Sequence, residues 1–260
     1  MTTLAATALD TLAPIGLEEL VERAELLTRV DRKYVVPVRA AEEILRAVPA
    51  STRVLEIAGR RGFGYRSTYL DTPERDSYLS AGRGHRRRWK VRTRAYLDTG
   101  GTWLEVKTRS ARGATLKQRI EHPEAESQVA PLTEAGHGFV ADIVGTAVAD
   151  RIHPVLVTGY HRTTLFLPES ASRVTLDVDL GWTALAPQAP PRDLERPGVA
   201  IVETKTGSTP SPVDHLLWRR GHRPLRISKY GVGMAALDPA LPRLKWHRVL
   251  GQHLSLPRSN

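Results

Sequence analysis

The segment Arg86–Lys117 reads RRRWKVRTRAYLDTGGTWLEVKTRSARGATLK. Every second residue from Arg86 to Arg94 is Arg or Lys, and the residues between them are mostly uncharged. Because successive side chains of a strand point to opposite faces of the sheet, this alternation predicts a strand with one cationic face. The turn signal Asp98-Thr99-Gly100-Gly101 follows. The segment is therefore predicted to form a β-hairpin.

Two further runs continue the same alternation. Glu105 and Lys107 share one face of the second run, and Lys117 and Arg119 share one face of the third, Thr115–Glu121. A solvated sheet face gives the same pattern, so alternation alone leaves open whether the charged face points outward or inward. The face consists mainly of guanidinium and ammonium groups, which repel one another unless an anion lies among them. This composition favours a bound anion.

Net charge and composition limit which class of protein this can be. A formal net charge of +10 and a pI near 10.2 indicate a polyanionic partner. Phe, Trp and Tyr make up only 6% of the chain, which does not favour nucleic acid as that partner, because stacking on bases needs aromatic side chains. The absence of cysteine excludes disulfides and thiolate metal sites. No apolar run is long enough for a membrane span, and the composition favours a cytoplasmic protein.

The rest of the chain predicts an α+β fold in a single domain over residues 17–238, with a flexible lead-in at 1–16 and a peripheral basic tail at 239–260. A Pro-rich stretch, 186–198, is predicted to be a loop that cannot pair in a sheet. Ser211-Pro212-Val213-Asp214 has the composition of a helix start. About eight strands with helices between them suit a closed antiparallel barrel. The predicted helices are Leu17–Thr28, Ala40–Val48, Leu132–Val148 and Ser211–Arg220; the predicted strands outside the opening segment are Arg29–Val36, Phe63–Leu70, Pro154–Leu167, Ser172–Leu180, Val199–Thr206 and Leu225–Tyr230.

Several common catalytic motifs are absent from the sequence. It contains no G-x-x-x-x-G-K-[ST], no G-x-G-x-x-G opening a helix, no H-E-x-x-H and no G-x-S-x-G. What remains is a set of cations distributed over the predicted strands, together with a few carboxylates. Phosphate chemistry uses this mixture, because Arg grips phosphoryl oxygens, Lys supplies charge and a carboxylate holds a divalent metal.

In this distribution the chain resembles the catalytic domain of the vacuolar transporter chaperone (VTC) polyphosphate polymerases, within the triphosphate tunnel metalloenzyme superfamily that includes the CYTH proteins. The resemblance covers residues from about Leu17 to Leu237. It is carried by short motifs in family order: Arg29-Val-Asp-Arg-Lys33-Tyr34, Tyr69-Leu-Asp71-Thr, Arg92-Thr-Arg94, Leu104-Glu105-Val-Lys107-Thr, Lys117-Gln-Arg119, Tyr160-His-Arg162, Arg173-Val-Thr-Leu-Asp177, Val202-Glu203-Thr-Lys205 and Ile227-Ser228-Lys229-Tyr230.

The resemblance implies a closed eight-stranded antiparallel barrel whose interior is a basic tunnel. It implies transfer of the ATP γ-phosphoryl group onto a growing polyphosphate chain, with Mn²⁺ or Mg²⁺ as cofactor and ATP or another nucleoside triphosphate as substrate. Glu203 is the implied metal ligand and acts in catalysis with Lys33, Arg92, Arg94, Lys107 and Lys205. The residues implied to bind polyphosphate or triphosphate are Arg29, Lys90, Glu105, Lys117, Arg119, Arg162, Arg173, Arg226 and Lys229.

Two alternative functions remain open from the sequence. One is a tunnel triphosphatase that hydrolyses triphosphate or nucleoside triphosphates, and the other is a non-catalytic module that binds polyphosphate or another polyanion. The CYTH hydrolases begin with E-x-E-x-K, whereas this chain has Arg29-Val-Asp31-Arg-Lys33 at the same place. Replacing the first acid by Arg29 removes a metal ligand and adds a phosphate-binding group. This departure favours chain binding or synthesis over hydrolysis.

Overall fold

A computed structural model describes residues 6–23, 30–111, 114–123, 130–186 and 189–254. These residues form an α+β structure dominated by antiparallel strand pairs, which confirms the predicted class. None of the helices in these ranges is long and apolar enough to span a membrane. The strands are β1 (Ala13–Ile15), β2 (Val30–Pro37), β3 (Arg53–Leu55), β4 (Phe63–Asp71), β5 (Arg88–Tyr96), β6 (Thr102–Arg109), β7 (Thr115–Glu121), β8 (His153–Leu167), β9 (Ser172–Ala186), β10 (Ala189–Arg196) and β11 (Val199–Thr206). The helices are α1 (Ala6–Asp10), α2 (Leu17–Arg23), α3 (Val38–Ala47), α4 (Asp76–Arg83), α5 (Glu134–Val144), α6 (Thr146–Ala149), α7 (Pro212–Arg219), α8 (Lys229–Leu237) and α9 (His247–His253).

The chain folds into two compact units, each assembled from three separate segments. Unit 1 contains the described residues of Met1–Gly64, Tyr160–Leu180 and Arg196–Arg226. Unit 2 contains those of Tyr65–Gly159, Gly181–Glu195 and Ile227–Asn260. The single domain over residues 17–238 stays a prediction.

Unit 1 is built on antiparallel pairing of β11 with β2 and β9. Glu203 of β11 lies opposite Lys33 of β2 and Thr175 of β9. The residues that alternate with these, such as Tyr34 and Val202, are fully buried. They pack against α3 and α7 in one apolar cluster. One face of this sheet is therefore a helix-covered core, and the other carries the charged residues.

The start of α7 confirms the prediction made from Ser211-Pro212-Val213-Asp214. Ser211 Oγ accepts a hydrogen bond of 3.1 Å from the Asp214 backbone N–H, and the Asp214 side chain accepts one of 2.7 Å from the Ser211 backbone. This capping box satisfies backbone donors that a helix start leaves unpaired. Asp214 also accepts hydrogen bonds from Tyr34 and Thr204, at 2.6 and 2.7 Å. The cap therefore attaches α7 to β2 and β11.

Unit 2 contains the antiparallel series β4-β5-β6-β7, which includes the predicted hairpin. Gly100 and Gly101 have φ angles of 75° and 85°, a region that glycine enters without steric cost, so the chain reverses there. Val91, Leu104 and Val106 are buried and pack against α5 in a second apolar cluster. The same alternation as in unit 1 thus leaves the Arg, Lys and Glu side chains on the face opposite the helix.

The described residues form eleven strands rather than eight, and no pairing among them joins β7 to β2. The predicted closure into an eight-stranded barrel is therefore not confirmed. The Pro-rich stretch 186–198, predicted to be an unpaired loop, contains β10. This prediction was wrong because β10 pairs with β9 alone among the described strands, and an edge strand tolerates proline.

Two other predicted elements differ from the structure. Leu225–Tyr230 is not a strand: residues 222–228 have no regular structure, and α8 begins at Lys229. Ser228 accepts a hydrogen bond from the Gly231 backbone N–H at 3.0 Å, so its hydroxyl starts a helix. The predicted helix Leu132–Val148 divides into α5 and α6 at Gly145, whose φ of 95° is incompatible with helix.

The two ends of the chain contribute buried side chains. Ile15, at the end of the segment predicted to be a flexible lead-in, is 1% exposed in unit 1. Trp246, in the segment predicted to be a peripheral tail, is also 1% exposed, and its ring centroid lies 4.9 Å from that of Tyr78 in unit 2. Apolar burial of this size stabilises the ends, so residues 6–16 and 239–254 belong to the packed structure.

Candidate functional site

The charged face of unit 1 carries two rows of residues across neighbouring strands. Lys33, Glu203 and Thr175 form one row, and Asp31, Lys205 and Arg173 form the next. Residues directly opposite each other on paired strands share a face, so these side chains project together. The side chains of Lys33, Lys205 and Glu203 are 28%, 19% and 14% exposed. A face open to bulk water would leave lysines far more exposed, so the part of this face around Glu203 is largely shielded.

Glu203 lies between two cations of this face. Lys33 Nζ donates a hydrogen bond of 2.9 Å to Glu203 Oε1, and Lys205 Nζ lies 3.6 Å from the same oxygen. Burial acts to raise the pKa of the Glu203 carboxyl, but the charges of Lys205 and Lys33 outweigh burial and hold the pKa well below its usual range. Glu203 is therefore a carboxylate at neutral pH.

Arg162 of β8 and Asp177 of β9 form a second charged pair in unit 1. Arg162 Nε and Nη2 donate to the two oxygens of Asp177 at 2.6 and 2.8 Å, a bidentate geometry. Burial acts to lower the pKa of Arg162, but the Asp177 charge outweighs it and raises the pKa further above its usual range. The charge of Glu203 contributes to the same rise in pKa, so Glu203 and Arg162 interact electrostatically.

The charged face of unit 2 is a grid across β5, β6 and β7. Lys90, Lys107 and Lys117 stand in one row, which places three ammonium groups at the same level of three strands. Three lysines in register repel one another, and the carboxylate of Glu105 offsets the charge of Lys117. The adjacent row consists of Arg92, Glu105 and Arg119.

Glu105 is the buried carboxylate of that grid, with a side chain that is 2% exposed. Arg92 Nε and Nη2 lie 2.7 and 2.6 Å from its Oε2, and Lys117 donates to its Oε1. Burial acts to raise the pKa of Glu105, but the charges of Arg92 and Arg94 and the contact with Lys117 lower it to about 2. Burial also lowers the pKa of Lys117. Glu105 therefore orients guanidinium and ammonium groups without neutralising all of them.

Aromatic residues support the cations of unit 2, a role that the sequence analysis did not assign to them. Arg92 Nη1 donates a hydrogen bond of 3.1 Å to Tyr69 Oη, and Lys90 Nζ lies 5.8 and 5.7 Å from the ring centroids of Tyr69 and Tyr230. Burial acts to raise the pKa of Tyr69, but the charges of Arg92, Lys90 and Arg94 lower it to about 8. The motifs Tyr69-Leu-Asp71-Thr and Ile227-Ser228-Lys229-Tyr230 contained the signal, because each includes a tyrosine among the residues that carry the resemblance.

Asp71 anchors the start of α8 through Tyr230. Its carboxylate is fully buried and accepts hydrogen bonds from the backbone N–H groups of Thr72, Ser77 and Tyr78 at 2.8, 2.9 and 3.0 Å. Tyr230 Oη donates to Asp71 Oδ2. Burial raises the pKa of Asp71, although these hydrogen bonds oppose the rise. The contact fixes the position of Tyr230. Its neighbour in the chain, Lys229, is the residue predicted to bind phosphate.

The other predicted site residues lie in varied surroundings. Arg29 falls outside the described residues. Arg226 lies in the irregular segment before α8, and Lys229 is the first residue of that helix. Arg119 is exposed, with its guanidinium carbon 4.4 Å from the ring centroid of Trp103. The register thus groups Lys33, Arg173, Glu203 and Lys205 in unit 1 and Lys90, Arg92, Lys107 and Lys117 in unit 2, while their roles stay predictions.

A divalent metal at Glu203 would need oxygen or nitrogen ligands from the residues around it. No group of three or more His, Cys, Asp or Glu side chains that could hold a metal occurs in the described part of the chain. A cage made only of protein ligands is therefore not present there. Mg²⁺ commonly binds through one or two carboxylates together with substrate phosphates and water. The deprotonated Glu203, flanked by Lys33 and Lys205, fits the single carboxylate ligand of such a site.

Solved structures with limited similarity come from several organisms. A protein from Hippeastrum, provisionally named an adenylyl cyclase and described as having a dominant triphosphatase activity, is 15% identical, with a TM-score of 0.46 over 83% of this chain and 99% of its own. A protein from Pyrococcus horikoshii is 14% identical, with a TM-score of 0.43 over 78% of this chain and 97% of its own. A provisionally named adenylate cyclase from Vibrio parahaemolyticus is 14% identical, with a TM-score of 0.38 over 75% and 83%.

No curated protein matches the sequence. The family model described as the VTC domain, in contrast, matches residues 28–238. The match covers most of the chain and includes β2 to α8, the elements that carry both charged faces. It contains Lys33, Glu105 and Glu203 together with the cations that contact them. The chain therefore belongs to the VTC domain family.

Proposed function

We propose that this protein is a metal-dependent polyphosphate polymerase, which transfers the γ-phosphoryl group of ATP to a growing polyphosphate chain. The observation that carries the proposal is the position of Glu203, a carboxylate on a shielded sheet face beside Lys33 and Lys205. A metal ligand among phosphate-binding cations is the arrangement that phosphoryl transfer needs, because that reaction depends on positioning and charge neutralisation.

In the proposed reaction, a terminal oxygen of the polyphosphate chain attacks the γ-phosphorus of ATP. A new P–O bond forms there, the bond from the γ-phosphorus to the β,γ-bridging oxygen breaks, and ADP leaves with the bonding electrons. Lys33, Lys205 and Arg173 offset the charge on the phosphoryl oxygens, and Glu203 would hold Mn²⁺ or Mg²⁺. When bound, the metal supplies Lewis-acid stabilisation of the phosphate oxygens.

The grid in unit 2 supports binding of an extended polyanion. Lys90, Lys107 and Lys117 stand in one row, and Glu105 holds Arg92 beside them. A single phosphate would neutralise only part of this charge, whereas a chain of phosphates offers one negative charge after another along its length. We therefore propose that this face also binds polyphosphate, and the closed tunnel that the resemblance implies belongs to the same proposal.

The proposal is tested by incubating the purified protein with ATP and Mn²⁺, with EDTA as the metal-free control. ADP and orthophosphate are measured, and polymer length is followed on a gel. Polyphosphate formed together with ADP is the expected result. Orthophosphate without polymer would replace the proposal by a tunnel triphosphatase. Neither product, combined with tight and salt-sensitive binding of polyphosphate, would replace it by a non-catalytic polyanion-binding module.

A further inference from the structure

A second basic site lies in unit 2, in a cavity between α4, α5 and the adjoining ends of β5 and β6. Its volume is about 530 Å³, within the range of small-molecule pockets. Four arginines line it. Arg83 is the last residue of α4, Arg88 is the first residue of β5 and Arg87 precedes it, and Arg109 is the last residue of β6. None of these four belongs to the residues assigned above to polyphosphate synthesis.

The cavity is lined by four arginines and one carboxylate. Arg88 and Arg109 lie directly opposite each other on paired strands, and like charges so placed destabilise a sheet. Burial lowers the pKa of Arg88, and the charge of Arg109 adds to the effect. Arg83 and Arg87 contact no carboxylate among the described residues. The lining carboxylate, Asp76, accepts a hydrogen bond of 2.9 Å from Thr72 Oγ1 at the start of α4.

The cavity also has an apolar part. It consists of Leu79 from α4, Trp89 from β5, and Ile143 and Val144 from α5. Trp89 packs in the apolar cluster that covers the helix side of the hairpin, whereas Glu105 lies on the other face. Arg88 and Arg109 share the face of Glu105 and form the row beside Lys90 and Lys107, so the cavity extends from the end of the grid to the helix side of the sheet.

We propose that this cavity binds a nucleoside phosphate, through four arginines and an apolar surface that have no part in the proposed phosphoryl transfer. The guanidinium groups of Arg83, Arg87, Arg88 and Arg109 match the oxygens of one or two phosphates, since Arg forms paired hydrogen bonds with them. Trp89 and the aliphatic side chains offer a surface for a planar base. An inorganic polyphosphate has no apolar part and would make no contact with these apolar side chains.

The binding site can be observed through Trp89 without any turnover. The chain contains five tryptophans, so uniform 5-fluorotryptophan labelling gives five ¹⁹F signals, and Trp89→Phe assigns the one of interest. The labelled full chain is titrated with ADP in EDTA, and separately with tripolyphosphate. ADP is expected to shift the Trp89 signal in a saturable manner, and tripolyphosphate is expected to shift it much less.

Three variants assign the response to the cavity. The double variant Arg83→Ala, Arg87→Ala is expected to weaken ADP binding roughly 10-fold or more, because two charge-assisted contacts are lost. Arg248→Ala, which removes an exposed arginine of α9 outside the cavity, is the matched control and is expected to bind as the wild type does. Lys33→Ala, in the proposed catalytic site, is also expected to retain the Trp89 response.

Four outcomes would overturn the inference. They are an unshifted Trp89 signal at millimolar ADP, an undiminished response in the double variant, a response lost in Lys33→Ala, and equal shifts by ADP and tripolyphosphate. Equal shifts would show that the cavity recognises phosphate alone and not a nucleoside. Since none of these readouts requires polymer formation, failure of this inference is distinguishable from failure of the proposed polymerase activity.

Discussion

Lys33 and Glu203 face each other on neighbouring antiparallel strands, and the Lys33 ammonium group donates a hydrogen bond of 2.9 Å to the Glu203 carboxylate. Lys205 contacts the same carboxylate oxygen. Both contacts are made to Oε1 of Glu203, and a carboxylate can accept from several groups at once. This geometry is compatible with the proposed role of Glu203 in holding a metal.

The first prediction concerns Glu203→Gln, which keeps the shape of the side chain and removes its charge. Metal-dependent turnover is expected to fall roughly 100-fold or more, because charge stabilisation in the site is lost. The fold is expected to persist, since Glu203 lies on the charged face and not in the apolar cluster. ADP release and circular dichroism measure the two effects. Glu43→Gln, at a 54% exposed carboxylate of α3, is the control, and unchanged turnover in Glu203→Gln would remove the metal role from Glu203.

The second prediction is a dependence of stability on acid pH caused by Glu105. Its pKa in the folded state is about 2, below the reference value of 4.5. A carboxyl with a depressed folded-state pKa binds its proton more readily in the unfolded chain. Its contribution is therefore complete above pH 4.5 and is lost as the pH falls towards 2. The contribution is about 3 kcal/mol from the shift in pKa.

The measurement is urea denaturation of the wild type and Glu105→Gln between these pH values. The wild type is expected to lose stability more steeply on acidification than the variant does. Glu121→Gln, at an exposed carboxylate of β7, is expected to keep the wild-type slope. Equal slopes for the wild type and Glu105→Gln would show that Arg92 and Lys117 do not hold the proton off this group.

The parts of the fold that could be predicted from the sequence are those determined by local patterns. The alternation around Arg92 and Glu105 predicts strands and the residues that share a face. Ser211 and Pro212 mark a helix start through contacts within four residues. The grouping of Lys33 with Glu203 came from the resemblance, since 170 positions separate the two residues.

The remaining features depend on tertiary contacts that no local pattern contains. Asp71 and Tyr230 are 159 positions apart, and neither residue alone indicates a hydrogen bond. Proline argues against β10, yet pairing on one side only makes that strand possible. The run Leu225–Tyr230 has apolar residues at strand spacing, but the Ser228 cap begins a helix there. Each difference reflects a tertiary or capping contact that overrides local propensity.

The third prediction concerns Tyr230→Phe, which removes the hydroxyl that donates to Asp71. Asp71 would lose one of four hydrogen bonds while remaining buried, and the free energy of unfolding is expected to fall by about 1–3 kcal/mol. Tyr96→Phe is the control, because the Tyr96 ring packs at 5.2 Å from Tyr65 and its hydroxyl makes no hydrogen bond with the described residues. Urea denaturation compares the variants, and equal losses of stability would contradict a specific role for the Asp71–Tyr230 contact.

The fourth prediction follows from Thr175, which lies directly opposite Glu203 on β9 and is 4% exposed. Its hydroxyl is buried and has no hydrogen-bond partner among the described residues. A buried hydroxyl without a partner costs free energy, so Thr175→Val is expected to leave the stability unchanged or to raise it by about 1 kcal/mol. Turnover is expected to fall in the same variant, because a hydroxyl beside Glu203, the proposed metal ligand, would donate to or accept from a substrate phosphate or its bound water.

Thr175→Ser separates the hydroxyl from the methyl group. It keeps the polar atom and creates a small void, so it is expected to lose stability and to retain turnover, the opposite of Thr175→Val. Urea denaturation and ADP release, measured on both variants, give the two pairs of values. A stable Thr175→Val protein with full turnover would show that the hydroxyl is only a tolerated defect in packing. Opposite responses of stability and turnover would instead place Thr175 beside Lys33 and Glu203 as a group retained for substrate binding at the cost of stability.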